Sequence, residues 1–178
     1  IDRVSFASDA GFYYLLPKAV VQPMNEEEIV ALFRFSKANK IPLVFRGGGS
    51  SLSGQSITDG ILVDLSQHWN RTDILDGGQQ VKVQPGITGA MVNARLKPWK
   101  RKIGPDPSSI SAAMMGGILS NNASGMCCGV VNNSYHTTRS IRFILPDGKS
   151  FNTAEKPDYN RFESECKDLF SEIATIRK

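Results

Sequence analysis

The sequence predicts an α+β fold of two units, a small one over residues 1–66 and a larger one over 67–178. Three observations lead there. A stretch with helical periodicity over 25–40 runs into an apolar, partly β-branched segment, Ile41-Pro42-Leu43-Val44-Phe45, which ends in Arg46. A second apolar run, Ile61-Leu62-Val63-Asp64-Leu65, follows a long polar loop, so helix, strand, loop and strand form an αββ unit. Beyond it, strand-like and helical segments alternate, as in a mixed sheet with flanking helices.

Residues 1–24 read as an extended entry segment. Asn25 is a helix N-cap with Glu28 at the reciprocal capping-box position, and Glu26 and Glu27 place negative charge in the first turn. Ile29, Leu32, Phe33 and Ser36 mark one face. Lys37, Asn39 and Lys40 close the helix ahead of Pro42. Val81-Lys82-Val83-Gln84 alternates with period two and stops at Pro85-Gly86, which marks a strand. Thr88 caps a helix to about Lys97 with Met91, Val92 and Leu96 inward. Arg142 to Leu145, Asp147-Gly148 and Lys149 to Thr153 form a hairpin. Phe162, Cys166, Leu169, Phe170 and Ile173 share one stripe of a final helix.

Composition narrows the function classes. Apolar residues make up 40% of 178 positions and charged ones 21%, which supports a buried core and excludes disorder. A net charge of +4 suits a small polyanionic ligand at least as well as nucleic acid, because the cations are dispersed apart from Lys97, Lys100, Arg101 and Lys102. Cys127, Cys128 and Cys166 form no spaced framework, which points to a reducing, cytoplasmic setting and to half-buried thiols. No run approaches the roughly 20 apolar residues of a membrane span. No secretory leader is visible, and a chain starting at Ile1 reads as a piece of a longer one.

Four segments carry chemistry. Gly47-Gly48-Gly49-Ser50-Ser51-Leu52-Ser53-Gly54 offers main-chain amides and hydroxyls to an anion, with no Cβ in the way at its glycines. A dinucleotide fingerprint starting at Gly47 would need glycine where Leu52 stands, and no Lys-Ser/Thr pair makes a P-loop. Pro105-Asp106-Pro107-Ser108-Ser109 is a stiff turn that presents backbone groups and hydroxyls at fixed positions. Gly116-Gly117 and Asn122-Ala123-Ser124-Gly125 repeat the small, polar theme. Tyr135-His136-Thr137 precedes the hairpin, and His136 has no carboxylate or thiol partner at a suggestive spacing. No catalytic triad, metal motif or carboxylate pair stands out, so catalytic and metal-ligating residues are expected to be none in this stretch.

In this order the segments resemble the FAD-binding domain of the vanillyl-alcohol oxidase/PCMH-type flavoproteins, closest to D-lactate and D-2-hydroxyacid dehydrogenases, including proteins like the flavin-binding chain of glycolate oxidase. Ser8-Asp9-Ala10, Tyr14 and Pro17 match that family's entry segment. Asn121 to Gly129 with Asn133-Ser134-Tyr135-His136 is similar to large members fused to an iron–sulfur half. The resemblance implies a PCMH-type fold of two α/β subdomains with noncovalent FAD between them, since Ser50 and Ser51 stand where some relatives carry an attaching His.

It further implies a role for each segment. Arg46, Gly47, Gly48, Gly49, Ser50, Ser51, Leu52 and Gly54 would hold the diphosphate. Pro105, Asp106, Ser108, Ser109, Gly116 and Gly117 would line the flavin. Asn122, Ser124 and Gly125 would add polar contacts, Tyr135 and Thr137 would sit near the ring system, and Ile144 near the adenine. A side chain at Gly48 would occupy the phosphate's place. The whole protein would pass a hydride from a D-2-hydroxyacid such as D-lactate to FAD. Electrons would then leave through iron–sulfur clusters or a peripheral membrane acceptor.

Two other classes compete: a flavin or nucleotide module without a redox reaction of its own, and a nucleic-acid binder using the Lys97–Lys102 turn. The family resemblance implies no nucleic-acid partner. It also implies that residues 1–178 alone turn over little or no D-lactate, and a steady-state assay of the isolated chain checks this.

Overall fold

The computed structural model describes residues 3–177, which fall into two compact units, one ending at Thr137 and the other starting at Thr138. Helix and strand are mixed throughout, as the α+β assignment requires. The entry segment is not extended throughout: Arg3–Phe6 forms a 3-10 turn, and Ala19–Val21 is a strand, β1. Helix α1 spans Glu26–Asn39. The Asn25 side chain accepts the Glu28 amide at 2.9 Å, a cap worth about 1 kcal/mol. Glu28 reaches back to the Met24 amide (2.8 Å), one residue before the capping-box position. Lys40 ends α1 in the left-handed region at φ 53°.

Strands β2 (Leu43–Arg46) and β3 (Ile61–Asp64) pair in parallel, and β1 joins the far side of β3, giving the order β1-β3-β2. The first elements are therefore βαββ rather than αββ. The short run Ala19-Val20-Val21 carried no alternation by which to recognise it. Central β3 is buried along its whole length, as expected of an inner parallel strand. Ile29, Ile61 and Val63 form a core with Leu32, Phe33, Leu43 and Trp69 around it.

Strands β4 (Thr72–Leu75) and β5 (Gln80–Val83) pair antiparallel with each other. Thr88 accepts the Met91 amide and opens α2 (Gly89–Leu96). Val92 and Leu96 of α2 are buried with Ile87 and Ile103 in a second core, whereas Met91 is half exposed and turns away from it. Two short helices follow, α3 (Met115–Ser120) and α4 (Ser134–Thr137).

In the second unit, β6 (Arg142–Ile144) and β7 (Ser150–Asn152) make the expected hairpin, with Gly148 at φ 90° in its turn. The Lys149 amide donates to Asp147 at 3.0 Å and, as the largest cause, holds that carboxyl below its ordinary range. The final helix is two helices, α5 (Lys156–Glu165) and α6 (Lys167–Ile176), broken at Cys166. On one straight helix Phe162 and Phe170 would lie about 12 Å apart along the axis. The break brings their rings to 6.4 Å, and Phe162 packs edge-on to Phe151 of the hairpin at 5.2 Å.

Leu62 has no exposed surface. Leu62→Ala is expected to cost about 2–5 kcal/mol in urea unfolding. A loss below about 1 kcal/mol would place β3 outside the cooperative core.

Candidate functional site

Because β2 and β3 are parallel and consecutive, the chain must travel back along the sheet between them. Residues 47–60 make that return without a helix. Gly49 and Gly54 take φ of 63° and 78°, a region costly for other residues. The consecutive amides of Gly48, Gly49, Ser50, Ser51 and Leu52 donate to no acceptor among the described residues. Such a run of unpaired N–H dipoles is a concavity for an anion.

The loop is held from below. Asp9 accepts the Gly11 amide (2.8 Å) with one carboxylate oxygen. The other takes the Gly54 amide (3.1 Å) and faces the Ser56 hydroxyl at 3.4 Å. The Ala10 amide donates to the Gly49 carbonyl at 3.1 Å. One Arg46 terminal nitrogen donates to the carbonyls of Ser8 (2.8 Å), Phe6 (3.3 Å) and Ser56 (3.4 Å), and its guanidinium lies 5.5 Å from the Phe6 ring centre. Burial lowers the Arg46 pKa, while the charges of Asp9 and Asp64 pull it back up. Ser51 bonds to Gln55 at the loop's outer turn.

Neighbouring segments close on the loop. A Cβ at Gly48 would run into the Ala112 carbonyl, and one at Gly47 would come within 3.1 Å of the Met114 Cβ. The place a Gly48 side chain would take is therefore filled by the protein's own backbone, which corrects the expectation that it is kept for a phosphate. The stiff turn leads directly into this strip, with Ile110 bonded to Pro107 and Ala112 to Ser109. Pro105 is buried and Ser108 exposed. One Asp106 oxygen is buried with no hydrogen-bond partner among the described residues, and Gly125 is seated flush against it.

Gly116 packs on Pro85, but a Cβ at Gly117 would meet nothing within 4 Å. Asn122, at φ 45°, accepts the Tyr135 amide at 3.0 Å. Ser134 donates to the carbonyls of Ile118 and Ala123. Thr137 donates to Asn133 at 2.8 Å, and its methyl group sits against Gly104. Asn133 accepts the His136 amide (3.0 Å) and lies 2.9 Å from its Nδ1, so that nitrogen carries the proton. Tyr135 and Ser124 are exposed.

The structure thus joins the glycine loop to the strip after the stiff turn, and Asp106 to Gly125. Ile144 lies in the hairpin of the second unit. Sequence reasoning left three participants unassigned: Asp9, Ala112 and Met114. Asp9-Ala10-Gly11 was recognisable as a side-chain-capped turn; the other two act through backbone and Cβ and leave no signal. No cluster of His, Cys, Asp or Glu able to hold a metal occurs among the described residues, and none of their helices is long and apolar enough to cross a membrane.

Comparison with known proteins accords with this geometry. A family model described as FAD binding domain matches residues 17–154. The chain is 34% identical over 160 residues to D-2-hydroxyglutarate dehydrogenase of Pantoea ananatis, covering 88% of this chain and 16% of that protein. It is 29% identical over 140 residues to glycolate oxidase subunit GlcD of Escherichia coli K12, covering 78% of this chain and 28% of that one. Among solved structures, 6-hydroxy-D-nicotine oxidase from Arthrobacter nicotinovorans shares the fold with a TM-score of 0.73 at 15% identity, over 86% of this chain and 34% of that one.

Two glycines separate fold from ligand. In protein freed of any ligand, Gly48→Ala should lose at least about 1 kcal/mol of stability, because its methyl meets a carbonyl. Gly117→Ala should be neutral or stabilising by up to about 1 kcal/mol, since it lies in a helix with open space beyond. Thermal melts of the two variants check both.

Proposed function

Because the chain belongs to the FAD-binding domain family, we propose that it is the flavin-holding part of a longer dehydrogenase that oxidises a small D-2-hydroxyacid. The chain spans 16% of the first-named relative's length, so substrate and turnover belong to that longer protein. The observation that carries the reading is the unpaired amide run of residues 48–52 on a loop fixed by the protein's own contacts.

These residues fit an FAD diphosphate. The amides of Gly48 to Leu52 donate to its oxygens, and the hydroxyls of Ser50 and Ser51 add donors. The open space beside Gly117 would admit a flat ring. Asn122 spends its oxygen on Tyr135 and keeps its NH2 group for the ligand. Ser50 and Ser51 stand where some relatives carry an attaching His, and noncovalent binding is part of the proposal. The two cores of the first unit divide near residue 70, and a boundary near residue 66 with FAD between the cores is part of this proposal.

When bound, FAD would supply a two-electron acceptor for the hydride from C2 of the hydroxyacid, while a base elsewhere in the longer protein takes the hydroxyl proton. This chain's residues would hold and orient the cofactor. D-2-hydroxyglutarate is the first substrate to test, because the relative 34% identical to this chain bears that name; D-lactate and glycolate come next.

The whole protein should purify with flavin absorbance that bleaches anaerobically with D-2-hydroxyglutarate or D-lactate. Protein that takes up no flavin even when FAD is added overturns the reading. Residues 47–60 contain no Lys or Arg, so the anion is held by neutral dipoles rather than by charge. FAD affinity should therefore change less than about threefold between ~0.05 M and ~0.5 M salt, as a fluorescence titration would read.

A further inference from the structure

The glycine loop faces an entropic difficulty. Residues 47–60 contain five glycines, at 47, 48, 49, 54 and 60, and no regular structure, so a free loop of this composition would sample many shapes. Ordering such a segment costs backbone conformational entropy at every residue. A ligand that had to order it would bind correspondingly less well.

The contacts beneath the loop remove that cost before binding. Asp9 ties the entry turn at Gly11 to the far end of the loop at Gly54 and Ser56, across 45 residues of sequence. Arg46, at the loop's near end, gathers carbonyls from both the entry turn (Phe6, Ser8) and the far end (Ser56). The Ala10 amide holds the Gly49 carbonyl, so the Ser50 N–H of the same trans peptide points the opposite way. One terminal nitrogen of Arg46 is thus engaged inside the protein, and the rest of its guanidinium lies where a Gly49 side chain would be.

We propose that Asp9 and Arg46 are positioning residues that hold the loop's amides in their binding arrangement before a ligand arrives. Arg46 is then a strut beneath the loop through that one terminal nitrogen. This rests on the functional reading only for the identity of the ligand; the preformed loop is a property of the ligand-free chain.

The test uses D9N in the whole protein. The variant keeps the side chain's shape but retains only one acceptor oxygen for its two amide partners. Hydrogen exchange is read at the amides of Ala10 and Ile57, which donate to the loop carbonyls of Gly49 and Gly54 and not to the replaced carboxylate. In ligand-free D9N these should exchange about 10-fold faster, while amides of β1 and β3 stay unchanged, and the Kd for FAD should rise about 10-fold. Saturating FAD should restore the protection at both reporters, which a general loss of structure would not allow.

Equal exchange and equal Kd in D9N and wild type overturn the proposal. So does faster exchange spread through β1 and β3. If D9N does not fold, R46M is read on the same scales, since methionine offers no donor to the three carbonyls. Loss of fold in both variants assigns the pair to the fold at large and also overturns the proposal. Wild-type protein that takes up no FAD defeats the functional reading instead, and the exchange result still decides the loop.

Discussion

Strands β2 and β3 lie side by side, run the same way, and follow one another in the chain. That parallel pairing obliges the backbone to travel the length of the sheet between them. Other parallel units make this return with a helix; here residues 47–60 do so as a bare loop. A helix would have consumed its own amides in internal bonds. The loop leaves those of Gly48 to Leu52 without acceptors, and the anion site proposed above arises from the connection itself. Everything else near the site serves to keep that connection in one shape.

The supports come from both directions along the chain. The entry turn grips the loop from below through Asp9, Ala10 and the carbonyls that Arg46 collects. The strip Ala112 to Met114 closes on Gly47 and Gly48 from the other side, and it hangs from the second core through the bond from the Gly89 amide to the Ala113 carbonyl. The loop therefore touches residues tied to both cores of the first unit, although it belongs in sequence to the first core alone.

Much of this was legible in the amino-acid sequence alone. Asn25 and Thr88 announced their helices because a side-chain oxygen at an N-cap is a local device, readable within four residues. The glycine loop was legible because its composition serves neither helix nor strand. What escaped notice depends on distant partners. Strand β1 is three residues long and is defined by pairing with β3 some forty residues on. Met91 has the right spacing to face inward, yet it turns out because Val92 and Leu96 already fill the core. The break at Cys166 answers to aromatic rings on the hairpin, not to a glycine or proline in the helix. Gly48 was placed correctly in the loop, but the reason assigned to it changed from ligand to backbone.

That change bears on how sequences of this kind are sorted. If the carbonyl of Ala112 already demands an absent side chain at position 48, selection for folding preserves this glycine even in a lineage that has discarded its cofactor. Silent descendants and working ones would share the same signature there. The discriminating letters are those answering to no internal neighbour, and Gly117, whose Cβ would find nothing nearby, is where divergence between the two groups should register first.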